Sequence, residues 1–529
     1  MTGPSTAQGH YVSRILDVVA RTPRRSLVRG RAGALDGAAL VRSVHRAHAA
    51  LRAAGAGPGA MVGILTGANH PLTFTARYAA HLLGAGVMYV RSVNPGSDLP
   101  LPAAEQAVLL AECGVGVLVT DPAHAARGSE LARLLPRSPA VVTLDTADTA
   151  GTADTADTAD TGDGADSGGG GVLAPRNPDC AVVTYTSGSS GRPKGVRQSF
   201  AAWNRLVLGD AASLAGRPPE RMLIVTPTSH TVAVMADVVL ASGGTLVVHD
   251  HFEATEVLRA LAAERITRVY LTVPQLYRLL DHPDTTGTDL SALRQLIYSG
   301  CVASPARLAG AVRVFGPRLV QCYGSTEAGR ITLLDQLDHF EPELLPSVGR
   351  PFPGVEIRVC DPDTGREAPR GDRGEVQVRS PYAMAGYQGL PAESAAVLLP
   401  DGWLRTGDLG HLDAYGCLHL VDRIGRVIKA AGVKVRPAEV ERALLTHSAV
   451  ADCAVFGAPD PVTGEAVHAA VVLRVPCEPE ELRRHVAASL SAAHAPARIV
   501  RWPELPLTES GKPDHRRLAG AAVSGAASN

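Results

Sequence analysis

The sequence is poor in aromatic residues, 4% of the chain, and has almost no net charge: 51 lysines and arginines stand against 52 aspartates and glutamates. Nucleic acids and anionic membranes both favour a basic surface, so this balance gives no case for either as a partner. The eight cysteines stand singly, at Cys113, Cys180, Cys301, Cys322, Cys360, Cys417, Cys453 and Cys477. With no CxxC pair, neither a zinc knuckle nor a disulfide framework is indicated. Long apolar runs are also missing. Polar residues such as Thr226, Ser229 and His230 interrupt the longest, which gives no support for a membrane span. The opening MTGPSTAQGHYVSRI lacks the basic-then-apolar order of a secretory leader. These absences together point to a reducing cytoplasm.

What is present is an ordinary globular balance, 45% hydrophobic and 19% charged over 529 residues, and that length predicts two or more domains. Leu40, Val41, Val44, Ala47 and Leu51 recur at helical spacing, GAGPG breaks the helix, and MVGIL follows as a strand. The cycle repeats with a helical HPLTFTARYAAHLL before VMYV, and again with LPAAEQAVLLAE before VGVLVT. This alternation predicts α/β layers around largely parallel sheets.

The tract from about 145 to 171, DTADTAGTADTADTADTGDGADSGGGG, holds no large apolar side chain. It cannot offset the entropy of ordering itself and reads as a disordered acidic insertion. The α/β pattern then resumes to about Val421. A smaller segment follows as helix (437–445), strand (451–456), strand (466–473) and helix (479–490). The expected architecture is a large domain over 1–422, a hinge at about 423–426, and a small mobile α+β domain over 427–529.

CAVVTYTSGSSGRPKGV runs from a strand into a Ser/Gly loop and then Lys194, with Phe200, Trp203, Leu206 and Val207 marking one face of a helix after it. Glycines let backbone N–H groups converge, hydroxyls add donors, and a lysine adds charge, a set suited to a polyphosphate. It is not a Walker loop, because Pro193 precedes and Gly195 follows Lys194. On this loop alone, a phosphate cradle and a plain flexible turn fit equally well.

The rest of the chain decides between them. YTSGSSGRPKGV resembles the signature loop of the adenylate-forming superfamily of acyl-CoA synthetases, adenylation domains and luciferases. Its later motifs follow in order: YGSTE (323–327), GEVQVRS (374–380), DGWLRTGDLG (401–410), DRIGRVIKAAGVKVRPAEVE (422–441) and LPLTESGKPDHRRL (505–518). The resemblance covers the chain apart from the acidic tract and is nearest to acyl- or aryl-CoA ligases.

The resemblance implies ATP and Mg²⁺, and CoA as a co-substrate. It places the β- and γ-phosphates on Thr186, Ser187, Gly188, Ser189, Ser190, Gly191 and Lys194. Glu327 would hold Mg²⁺, Thr326 would contact the α-phosphate, and Tyr323 would stack on adenine beside Cys322, Gly324 and Ser325. SGCVASP matches the segment lining adenine, through Gly300, Cys301 and Val302, where cysteine and valine replace the commoner residues. Asp408 would accept the ribose hydroxyls and Arg423 would add a ribose or phosphate contact. Lys512 matches the mobile catalytic lysine, long enough to reach both substrate carboxylate and α-phosphate.

His230 sits where relatives carry a histidine beside the acyl channel. Pocket positions are expected among Trp203, His230, Thr231, Val232, Ala303, Gln321 and Gly329, which fits an aryl or aliphatic acid, with a small or aryl acid favoured. Peptide-synthetase domains place an aspartate near this region to bind an α-amine, and the only nearby acid is Asp237. On the small domain, Gly432 and Lys434 would form the face that receives the thiol, and Gly425 stands where the hinge usually carries Asp or Lys. The implied function is acid–CoA ligation through an acyl-AMP. A carrier-protein thiol, an amine or hydroxyl acceptor, and adenylation of an oxyanion such as nitrite are the alternatives. A luciferase-like oxygenase shares every motif, while a non-catalytic paralogue would not need Lys512 with Glu327 and Asp408.

Overall fold

The computed structural model describes residues 10–31, 33–91, 101–145, 179–187, 193–430, 432–460, 464–508 and 510–524. The acidic tract from 146 onward and the expected phosphate-loop residues Gly188, Ser189, Ser190 and Gly191 lie outside the described residues.

The helical periodicities become helices whose apolar stripes face inward. Over Gly37–Ala53 the buried residues include Leu40, Val44, Ala47 and Leu51, while Asp36 caps the first turn by accepting from the Ala39 N–H at 2.7 Å. Met61–Leu65, Gly86–Tyr89, Val115–Thr120 and Ala140–Thr143 are parallel strands of a seven-stranded sheet, with Cys180–Ser187 beside Gly86–Tyr89 and Pro193–Ser199 and Gly386–Tyr387 antiparallel beyond it. A nine-stranded sheet is built round Thr245–Val248, Arg221–Ile224, Arg268–Thr272, Gln295–Ser299 and Leu319–Ser325, all parallel. The largest core fills the space between these sheets, where the helices Tyr11–Ala20, Gly37–Ala53, Pro71–Leu82, Phe200–Ser213 and Val232–Ala241 pack. Four antiparallel strands, Glu356–Cys360, Gly374–Arg379, Leu404–Leu412 and Leu418–Arg423, make a third sheet.

The smaller C-terminal unit follows. The strands Val450–Asp460 and Gly464–Leu473 pair antiparallel and the helices Pro437–Thr446 and Pro479–Ser489 cover them, burying Val440, Leu444, Val455, Val471, Leu482 and Val486. This unit is docked on the larger one through charge. Asp281 takes both Nη groups of Arg307 from its own domain, at 2.9 and 2.7 Å, and Nε of Arg474 from the other, at 3.3 Å. Arg278 reaches across to Glu504 at 2.9 Å and to the Leu505 carbonyl at 3.0 Å. No helix among the described residues is long and apolar enough to cross a membrane.

Candidate active site

Parallel sheets present their binding crevices beyond the carboxyl ends of the strands. Here those ends are Thr272, Ser299 with Gly300, and Ser325, and the motif residues gather around them. On the neighbouring sheet the antiparallel register sets Thr186 opposite Lys194 across the phosphate loop, and the Thr186 hydroxyl donates to the Lys194 carbonyl at 3.5 Å. Lys194 Nζ stands 5.2 Å above the Tyr387 ring, and the Tyr387 hydroxyl donates to Glu327 Oε1 at 3.2 Å. Burial and the Glu327 charge push the Tyr387 phenol pKa up. The Glu327 backbone is fixed too, its carbonyl accepting from Met384 N–H at 2.7 Å. Tyr387 therefore couples the loop lysine to the motif carboxylate. Sequence reading missed it, because Gly386–Tyr387 is a two-residue strand with no periodicity to detect.

Asp408 and Arg423 face each other on adjacent antiparallel strands. Arg423 Nε donates to Asp408 Oδ1 at 2.8 Å, and the Tyr323 hydroxyl donates to Oδ2 at 2.6 Å. Asp408 is buried, and the Tyr323 phenol is held well above its ordinary pKa by burial and by the carboxylate. The ring expected to stack on a base is thus tethered by its hydroxyl to the acid expected to hold the ribose.

Lys512 enters from the C-terminal unit. Its carbonyl accepts from Thr508 N–H at 2.7 Å and its own N–H donates to the Thr508 hydroxyl at 3.3 Å, while Gly511 supplies φ +80° for the tight turn. The side chain is exposed along the cleft and passes beside Gly300. Enclosure by the cleft walls, then the Arg423 charge, lower its ammonium pKa, with Cys301, Glu327 and Asp408 opposing. His230, at the start of the Val232–Ala241 helix, is lowered to about 4 by burial and by the Lys512 charge, so its imidazole is neutral near pH 7. The structure therefore brings Lys512, His230, Gly300, Cys301, Glu327, Tyr323, Asp408 and Arg423 into one cleft drawn from both domains.

Several expected pocket residues lie elsewhere. Strand alternation turns Gln321 to the opposite face, where it accepts from the Tyr298 hydroxyl at 3.2 Å in the core. Ala303 is packed in that same core, with Val273, Tyr277 and Leu308. Trp203 and Val232 are buried between the two large sheets. The Trp203 indole N–H donates to Asp237 Oδ2 at 3.0 Å, and Asp237 also takes Arg77 Nη1 and Nη2 at 2.5 and 2.7 Å and the Tyr78 hydroxyl at 2.6 Å. That carboxylate is consumed by a buried ion pair and leaves nothing for a substrate amine. Gly329, at φ +71°, packs beside Tyr382, and Thr231 is exposed. Gly432 and Lys434 are exposed on the Ile428–Ala430 and Val433–Val435 hairpin.

The chain is similar to known proteins. The AMP-binding enzyme family profile matches residues 16–388, and the profile of the AMP-binding enzyme C-terminal domain matches residues 439–512. The chain belongs to the AMP-binding enzyme family. It is 34% identical over 516 residues to the medium/long-chain-fatty-acid–CoA ligase FadD8 of Mycobacterium tuberculosis, covering 93% of this chain and 86% of that one. To a feruloyl-CoA synthase of an Amycolatopsis species it is 35% identical over 502 residues, covering 93% and 94%. Among solved structures, the amide bond synthetase McbA from Marinactinospora thermotolerans superposes with a TM-score of 0.78 at 36% identity, over 96% of this chain and 98% of that one.

Proposed function

We propose that this family member is an ATP-dependent acid–CoA ligase that works in two steps. In the first, a substrate carboxylate oxygen attacks the ATP α-phosphorus, the bond to the β-phosphate oxygen breaks, and pyrophosphate leaves. In the second, the CoA sulfur attacks the acyl carbon and AMP departs. The observation that carries this reading is the meeting of Lys512 from one domain with Glu327, Asp408 and Arg423 from the other. An ammonium placed over the end of a parallel sheet stabilises charge building between two anions. Asp408 and Arg423 hold the ribose, Tyr323 braces Asp408, and Thr186, Lys194 and the glycine-rich loop take the β- and γ-phosphates. Neutral His230 stands beside the acyl channel and adds no charge that would compete with Lys512.

Glu327 suits Mg²⁺: Tyr387 occupies one of its two carboxylate oxygens, and oxygen ligands are what a hard cation takes. When bound, the ion neutralises polyphosphate charge. The domains span 1–422 and 427–529, and the turn at 423–426 acts as the hinge, exchanging Lys512 for the Gly432 and Lys434 face before thiol attack. Eight unpaired cysteines suit a reducing cytoplasm.

The likeness to an amide bond synthetase favours a second reading, in which an amine takes the acyl group. Purified protein with ATP, Mg²⁺ and a panel of acids, followed by mass spectrometry with and without CoA or an amine, separates the two. Acid-dependent AMP with acyl-CoA supports ligation. Amide without thioester replaces it, and no AMP with any acid overturns both.

A further inference from the structure

Where the two covering helices of the small domain meet, three side chains with metal-binding atoms converge. His447 follows the Pro437–Thr446 helix, Cys477 precedes the Pro479–Ser489 helix, and Glu481 lies in the first turn of that second helix. Imidazole, thiol and carboxylate each bring one ligand atom within 4.8 Å of the other two. His447 Nε2 stands 3.4 Å from Glu481 Oε1, with the imidazole largely shielded and the carboxylate 54% exposed. Cys477 is buried, and its Sγ lies 3.7 Å from the Glu478 carbonyl. Burial, then a hydrogen bond to Glu481 and the charge of that carboxylate, push the thiol pKa up. The thiol is thus held protonated against a second acid, in a place where a cation would let both ionise.

The frame around the three is fixed. Arg501 Nη2 donates to the Cys477 carbonyl at 2.7 Å and to Glu478 Oε1 at 3.3 Å. The His447 N–H donates to the Leu444 carbonyl at 3.0 Å, and the His447 carbonyl accepts from the Val450 N–H at 3.0 Å. The His485 ring stands edge-on to the His447 ring, centres 5.0 Å apart, with its Nε2 at 2.9 Å from the Thr446 hydroxyl and 3.0 Å from the Ala443 carbonyl. His485 spends that nitrogen on the first helix and acts as a wall. Zinc bonds of about 2.0–2.3 Å in a tetrahedron set ligand atoms about 3.3–3.6 Å apart, so the set closes by roughly 1 Å, within reach of the exposed Glu481 arm. Coordination through Nε2 puts the ring proton on Nδ1 and ends the 3.3 Å contact from the Ala449 N–H, which is longer than an ordinary hydrogen bond.

We propose that His447, Cys477 and Glu481 form a zinc site on the small domain, with water as the fourth ligand. Binding forms the metal–sulfur bond and releases the thiol proton to solvent. One thiolate and one carboxylate then balance the divalent charge, which suits a half-buried position. Thiolate with imidazole selects zinc over Mg²⁺. A CxxC pair would have announced such a site in the sequence; here the ligands come from two separate helices. The ion pins the end of one helix to the start of the other beside Arg474. Nη1 of that arginine donates to the Ser448 and Val450 carbonyls at 3.3 and 2.5 Å, while its Nε reaches Asp281 of the large domain.

The test titrates tag-free, metal-stripped full-length protein with Co²⁺ and follows the absorption spectrum. The expected result is a single equivalent with tetrahedral d–d bands and a thiolate-to-cobalt charge-transfer band, displaced by Zn²⁺ and not by excess Mg²⁺. Cys477→Ser is expected to abolish the charge-transfer band. It should also weaken Zn²⁺ binding, read by calorimetry, by about 100-fold or more, at least what losing an outer hydrogen-bond partner costs. No charge-transfer band, a band that survives Cys477→Ser, or displacement by Mg²⁺ overturns the proposal. If Cys477→Ser does not fold, Glu481→Gln, a change to an exposed side chain, decides in its place. A loss of Zn²⁺ affinity of about ten-fold or more upholds the site, and a smaller loss overturns it.

Discussion

Lys512 Cε passes 3.9 Å from the point where a Cβ on Gly300 would stand, and Gly300 holds φ +104°. The lysine of one domain thus lies against the strand end of the other. Lys512→Ala is expected to slow acid-dependent pyrophosphate release by about 100-fold or more, the scale of losing one charge-stabilising donor. Thioester formation from pre-formed acyl-AMP should stay within a few-fold of wild type. A pyrophosphate rate within three-fold of wild type would remove Lys512 from the chemistry.

Asp408→Asn keeps the size of the side chain but weakens its bonds to Arg423 and Tyr323. Hydrogen bonds to charged groups contribute about 1.5–3 kcal/mol. KM for ATP should therefore rise roughly ten-fold or more, while KM for the acid changes little. Steady-state kinetics with each substrate varied in turn checks this; equal shifts in both would point to general misfolding.

Gly425 lies exposed in the single turn Ile424–Arg426 between the two domains. Gly425→Pro fixes one dihedral of the pivot. The expected outcome is adenylation spared and thioester formation impaired, read from single-turnover measurements of each half-reaction. Equal loss of both would place the pivot elsewhere.

Asp452 lies where the C-terminal unit meets Arg278, Arg307 and Cys301, and burial raises its carboxyl to about 7, with the Cys453 N–H and the two arginines opposing and Glu441 adding to the rise. An acid whose pKa rises on folding binds its proton more tightly when folded. Stability should therefore fall as pH climbs from the ordinary carboxylate range toward 7 and level off above it. Asp452→Asn should flatten that slope and raise Tm at pH 8. Parallel wild-type and variant melting curves from pH 5 to 8 would leave no room for this account.

Asp237→Ala strands Arg77, whose side chain is fully buried, without its partner. Breaking a buried pair from one side costs about 3–5 kcal/mol, measurable by denaturant unfolding. A loss under 1 kcal/mol would show that water reaches Arg77.

How far the sequence anticipates these features depends on the range of the signal. Helical and strand periodicities are local, and Leu40, Val44, Ala47 and Leu51 are buried as their spacing predicts. Asp408 and Arg423 stood out by their local motifs, but that they lie opposite each other on adjacent strands is seen only in the fold. Side-chain direction was not. Gln321 is one residue from Cys322, and strand alternation alone sends it to the far side of the sheet. Trp203 and Asp237 are drawn away by Arg77, which lies 126 and 160 positions upstream and gives no sign of its partners in the chain. Tyr387 was overlooked for the same reason: it acquires its meaning only from Glu327, a residue distant in sequence.

The cleft walls are drawn from residues 186–423, whereas the ammonium arrives with residue 512. On the proposed function, a polypeptide clipped ahead of that lysine keeps every residue of the three large sheets and lacks the one ammonium that would join ATP to an acid.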